Sequence, residues 1–156
     1  GWNEAEYEAL GADFANRGAV MDEQIDLLRA LWRNNAITFR GRFHTVSDAG
    51  ICPLPPNRTI PIWIGGTTAP AMRRAARTGD GWLPYAPARE APALMERFRG
   101  TMAARGRALD GFGIEAIVFT HPGDRPDFGN PPRTLDDAFR DIDVWRREGV
   151  SHVSIH

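Results

Sequence analysis

From residue 60 onward the chain alternates short apolar runs with segments of helical spacing, and glycine or proline marks the junctions. Residues 60–64 (IPIWI) are apolar with β-branched and aromatic members, and Gly65 and Gly66 close the run. That pattern predicts a buried strand. Thr67 or Thr68 can cap a following helix, Pro70 suits its first turn, and Met72, Ala75 and Ala76 form an apolar stripe opposite Arg73, Arg74 and Arg77. Gly79 stops it. Residues 81–85 (GWLPY) read as a second strand. A helix from about 91 to a stop at Gly106 carries Leu94, Met95, Phe98 and Met102 at helical spacing. Residues 114–119 (IEAIVF) are a third strand. After a Pro-, Gly- and Asp-rich loop, Thr134 with Asp137 suggests a capping box. Leu135, Ala138, Phe139, Ile142 and Trp145 then keep helical spacing up to Gly149, and 150–155 makes a fourth strand. Strands that alternate with helices call for a parallel sheet with right-handed crossovers, so the class is α/β.

Residues 1–59 are organised differently. An amphipathic helix over 22–32 presents Ile25, Leu28 and Trp32, with Leu27 and Leu31 widening the face. A β-hairpin over 37–46 turns at Arg40, Gly41 and Arg42, and 52–57 (CPLPPN) is an extended connection. Four parallel strands fit either an open doubly wound sheet or part of a closed (β/α)8 barrel. The 60–64 run does not alternate apolar with polar, so both its faces are expected to be covered. A full barrel takes roughly 250 residues, so this chain of 156 supplies about half of one. The whole chain reads as a single partial domain, with 60–156 as its βα repeats. It starts at Gly1 and stops at His156 inside an apolar run, so both ends read as cut.

Composition narrows the class further. Nineteen basic and twenty acidic side chains leave a net charge of −1, and 42% of residues are hydrophobic. That excludes a disordered chain and a basic nucleic-acid footprint. No run approaches the roughly 18 apolar residues of a membrane helix. Cys52 has no partner cysteine, and a cytoplasmic address is the expectation.

The most informative constellation is Gly65-Gly66-Thr67-Thr68, placed between a strand and a helix N-terminus. Unpaired N–H groups and the helix dipole favour an anion there, and glycine lets a phosphate approach closely. A tight βα turn with a threonine cap explains the same residues. Neither a Walker motif nor a dinucleotide fingerprint is present. His44, His121, His152 and His156 lack the spacing of zinc ligands, so no metal site is expected. His152 and His156 share one face of the last strand, which puts His156 at its C-terminal end, although a structural or exposed histidine fits as well. Asp80 reads as a turn former, Trp63 and Trp82 as core, and the arginine-rich helix face with Arg105 and Arg107 as solvated charge. No arrangement of nucleophile, base and acid stands out.

Several segments together resemble the luciferase-like monooxygenase superfamily, and within it the deazaflavin-dependent oxidoreductases. They are GWNEAEYEALG, RGAVMDEQIDLLRALW, FRGRFH, PIWIGGTTAPAMRRAARTGDGWLP and WRREGVSHVSI, in this order. The resemblance implies a (β/α)8 barrel binding reduced flavin mononucleotide (FMN) or coenzyme F-420. The four strands would be the fifth to eighth of that barrel, its C-terminal half. By the same resemblance Gly65, Gly66 and Thr67 would contact the cofactor phosphate. Tyr85 and Arg89, in the loop after Trp82 and Leu83, would face the cofactor tail or substrate. His156 is a third candidate for that contact, although it stands where close relatives often have asparagine. No catalytic residue is implied, because the strands that carry ring-contacting and proton-transfer groups are not in this chain.

The expectation is therefore part of an oxidoreductase that moves a hydride between a deazaflavin or flavin and a small organic substrate. Alone it should be inactive or impaired. The rival readings are a half barrel that pairs with a second copy or a complementary half, as a phosphate-binding module, and a doubly wound nucleotide-binding sheet.

Overall fold

A computed structural model describes residues 1–119 and 134–156. The Pro-, Gly- and Asp-rich loop expected before Thr134, and His121 within it, lie outside the described residues. The chain divides into two compact units, Gly1–Ile60 and Pro61–His156.

In the first unit, α1 (Glu4–Ala9) is capped by the Asn3 side chain, and α2 (Arg17–Arg33) grows directly out of a 3-10 turn at Phe14–Asn16. That turn starts α2 five residues ahead of the expected 22–32 segment. Ile25 and Trp32 are buried as expected, but Leu28 is 41% exposed, so the buried face is narrower than its apolar pattern. The hairpin pairs β1 (Ile37–Arg40) with β2 (Thr45–Ala49), running three residues past the expected 46. Glu23 of α2 ties it down. Its carboxylate accepts the N–H groups of Arg42, Phe43 and His44 at 2.5 to 2.9 Å, together with His44 Nδ1 at 2.9 Å. Burial alone would push this carboxyl up, but the hydrogen bonds from the His44 side chain and the three N–H groups outweigh it and hold the pKa below the usual value.

The second unit holds one parallel sheet. Its strands are β3 (Trp63–Gly65), β4 (Gly81–Leu83), β5 (Gly113–Val118) and β6 (His152–Ile155), side by side in chain order. Helices α3 (Ala69–Thr78), α4 (Ala91–Ala103) and α5 (Leu135–Arg147) make the crossovers. Sequential order is that of consecutive barrel strands, and it removes the doubly wound alternative, in which the order reverses across the sheet.

The strands are shorter than their apolar runs for local reasons. At β3 the ladder is replaced by Asp80, whose carboxylate accepts the Ile62 N–H at 2.8 Å while its own N–H donates to the Ile62 carbonyl. Pro84 has no N–H to continue β4. At β6 the Ser151 hydroxyl takes the ladder bond from the Ile114 N–H at 2.8 Å. The helices start at their expected caps: Thr68 accepts from Ala71 N–H, and Thr134 with Asp137 forms a complete capping box. The Thr134 N–H and hydroxyl and the Arg140 guanidinium hold the Asp137 carboxyl below the usual range.

Alternate strand residues separate two faces. Ile64, Trp82, Ile114, Ala116 and Val118 are buried on the helix side, where Phe98 of α4 stacks on Trp82 at 4.2 Å. Leu94, Met95, Phe98 and Met102 of α4 are all buried there, each contributing about 1.5–3 kcal/mol relative to exposure. Helix α5 buries Ala138 and Trp145 but leaves Leu135 and Phe139 more than 60% exposed, because only its side toward β5 and the 3-10 turn at Ala88–Glu90 is covered. The expectation that β3 is covered on both faces fails. Trp63 is 36% exposed and lies along the sheet on the face away from the helices, over Gly81 and Gly113. Trp82 is core as expected, whereas Trp63 is only partly so. No helix among the described residues is long and apolar enough to cross a membrane.

Candidate functional site

The turn after β3 is built by three neighbours. Gly66 takes φ +109°, a conformation that side-chain-bearing residues avoid, and its N–H donates to the Leu83 carbonyl at 3.0 Å. The indole N–H of Trp82 donates to the Gly66 carbonyl at 2.8 Å. A Cβ on Gly66 would sit 3.3 Å from Ala71, while one on Gly65 would meet only the Leu83 carbonyl oxygen, at 4.0 Å. Thr68 rather than Thr67 is the cap of α3. The N–H groups of Thr67, Thr68 and Ala69 meet no acceptor among the described residues, and they stand at the positive end of the α3 dipole. Thr67 is half-buried and Thr68 exposed. A dipole, free donors and bare glycine backbone at one point can hold a phosphate oxygen.

The other candidates gather at the same end of the sheet. Tyr85 follows β4, Phe119 follows β5 and His156 follows β6. The Tyr85 ring meets Phe119 edge-on with centroids 6.2 Å apart, and Phe119 lies 5.7 Å from the His156 ring. The structure thus links Tyr85 to His156 through a residue that motif reading passed over. Phe119 could have been found by period, since it continues the alternation of Gly113, Glu115 and Ile117 on the open face. Trp82 was missed in another way. A buried tryptophan N–H needs a partner, and here that partner is the turn. Arg89 stands apart: it makes a 3.8 Å ion pair with its neighbour Glu90, both more than half exposed.

His152 shares the open face with His156, as alternation predicts, but at the opposite end. Its ring meets Trp63 edge-on at 5.1 Å, and between the two histidines Ser154 donates to the Glu115 carboxylate. Asp80 is structural. Among the described residues no group of three or more His, Cys, Asp or Glu comes together.

A family model for luciferase-like monooxygenases matches residues 1–127. The chain belongs to that family. An uncharacterized protein of Mycobacterium tuberculosis is 40% identical over 82 residues, which is 53% of this chain and 27% of the relative. The F420-dependent glucose-6-phosphate dehydrogenase of the same organism is 29% identical over 108 residues, 67% of this chain and 32% of the relative. The chain therefore spans about a third or less of the curated relatives it matches. Among solved structures, the coenzyme F420-dependent tetrahydromethanopterin reductase of Methanopyrus kandleri superposes with a TM-score of 0.74 at 12% identity, over 98% of this chain and 65% of that one. At that identity the likeness shows the fold: this luciferase-like chain carries a partial β/α barrel.

Proposed function

We propose that this chain is the C-terminal barrel half of a deazaflavin- or flavin-dependent oxidoreductase and that Gly65, Gly66 and Thr67 hold the phosphate of coenzyme F-420 or FMN. The observation that carries the reading is the turn itself: N–H groups without an acceptor among the described residues at a helix N-terminus, next to the exposed Gly65. The F420-dependent relative supports the choice of cofactor class. When bound, such a cofactor supplies hydride chemistry toward a small organic substrate. The chain's own residues bind and orient. The turn anchors the phosphate, Trp82 locks the turn from the core, and Tyr85, Phe119 and His156 offer an aromatic wall at the same end of the sheet. Tyr85 and Arg89 are assigned to the cofactor tail or substrate, with Arg89 on the outer rim.

The face of the sheet that carries Trp63 needs a cover, and the remaining half of a barrel, from a second copy or a complementary segment, would supply it. Alone, the chain should bind cofactor weakly and turn over poorly. Fluorescence titration of the purified chain with F-420 and with FMN tests the anchor. Saturable binding by one of them, lost in Gly66→Val, is the expected result. Equal binding by the variant would remove the turn from the site. Sedimentation of the same sample checks the cover, and a folded monomer that binds cofactor as tightly as full-length relatives would speak against it.

A further inference from the structure

The arginines that look like solvated charge in the sequence are not scattered. Arg73 and Arg77 on α3 face Arg97 and Arg105 on α4 and its following turn, with Arg107 beside them, across a groove of about 800 Å3. That volume is typical of small-molecule sites. No carboxylate lines it among the described residues. Elsewhere in this unit arginines stand against acids, as Arg99 does with Glu148 at 3.2 Å and Arg146 with Asp143 at 3.1 Å. The guanidinium groups of Arg73, Arg97 and Arg105 have no such partner among the described residues, and all three side chains are exposed.

The groove also has a fixed end and room inside. Arg107 donates to the carbonyls of Ala76 at 2.9 Å and Gly79 at 3.1 Å, so its charge is held in place over the last turn of α3. The floor is small and apolar, formed by the buried Met72 and Ala76. Gly100 leaves a gap in the α4 wall, with nothing within 4 Å of where its Cβ would be. Arg73 projects from the α3 side of the groove, and Arg97 and Arg105 from the α4 side. Guanidinium forks match phosphate oxygens in pairs, so a ligand with several negative groups suits a groove whose two sides carry Arg73, Arg97 and Arg105 without acid partners among the described residues.

We propose that the groove between α3 and α4 binds a compact oligophosphate, either free or as the phosphate chain of a nucleotide. The assignment goes beyond the cofactor reading, which concerns the turn after β3. Isothermal titration of the purified 156-residue chain with sodium tripolyphosphate tests it, with ADP as the nucleotide arm and citrate as a carboxylate of similar charge. Saturable 1:1 binding of tripolyphosphate is expected, weakening as salt rises and falling roughly tenfold or more in the Arg73→Gln, Arg105→Gln double variant. A parallel variant, Gly100→Glu, fills the gap with a carboxylate while improving helix propensity, and should abolish binding without lowering the melting temperature. ADP binding that responds to the same variants identifies the source as a nucleotide, and tripolyphosphate binding alone as a free phosphate chain. The proposal is overturned if no saturable binding occurs, if both variants bind as the parent does, or if citrate binds as tightly as tripolyphosphate.

Discussion

The two ends of the parallel sheet are built on opposite principles. At the N-terminal ends of the strands the open face is filled: the Trp63 indole lies across Gly81 and Gly113 and ends against His152, so one side chain spans all four strands. Asp80 stitches the same end, bonding Ile62 with its carboxylate and accepting the Gly113 N–H with its carbonyl at 3.1 Å. At the C-terminal ends nothing is filled in this way. Gly65 is exposed, three backbone N–H groups meet no acceptor among the described residues, and Tyr85 is 37% exposed. At one end the glycines make room for a side chain; at the other, Gly66 turns the backbone with a positive φ and Gly65 is exposed. That division is the one expected of a β/α barrel, in which the C-terminal rim carries chemistry and the opposite rim carries stability.

The sharpest way to break the comparison is at the closed end. Gly81→Val drives a branched side chain into the Trp63 ring and should cost about 2–3 kcal/mol of stability, read from the urea midpoint. Much of that loss should return in the Gly81→Val, Trp63→Ala double variant, and a cycle with no coupling would mean that the indole does not fill this end. Next in size is Trp82→Phe, which keeps the stacking on Phe98 but strips the donor from the Gly66 carbonyl. A loss of about 1–2 kcal/mol is expected, together with weaker cofactor binding, because the turn loses its lock.

A pH experiment compares this sheet with the hairpin of the first unit. Glu23 has a lowered pKa, so its clamp contributes stability above the unfolded-state value near 4.5 and loses it as pH falls through the lower folded value. Acid titration followed by the chemical shifts of Phe43 and His44 should show the hairpin loosening in that window, and Glu23→Gln should remove the transition. The smallest effect belongs to the open end. Tyr85→Leu should leave stability within about 0.5 kcal/mol of the parent while altering ligand binding, and a large loss of stability would show that the tyrosine is core rather than rim.

Much of the fold was legible because it follows from local patterns. The Thr68 and Thr134 caps, the apolar stripe of Met72, Ala75 and Ala76, and the buried side of α4 all came from spacing that a helix imposes whatever surrounds it. Strand lengths were less legible. The 60–64 run is apolar throughout and 150–155 reads as one strand, yet ladders stop where Asp80 and Ser151 side chains take over backbone bonds, and that substitution depends on which strand lies alongside. The glycine turn was legible as an anion site or a plain turn, since a Gly-Gly-Thr-Thr sequence before a helix serves either. The pairing of its carbonyl with Trp82, the line from Tyr85 through Phe119 to His156, and the arginine groove were not, for they join residues 16 to 71 positions apart.

The sequence by itself determined the α/β alternation and the positions of the caps, because these depend on interactions within a few residues. Tertiary structure alone decided which glycines are covered. Gly65, Gly81 and Gly113 are the same residue in the chain, and neighbouring strands make the difference: the Trp63 ring occupies the space over Gly81 and Gly113, while a Cβ on Gly65 would meet only the Leu83 carbonyl oxygen, at 4.0 Å.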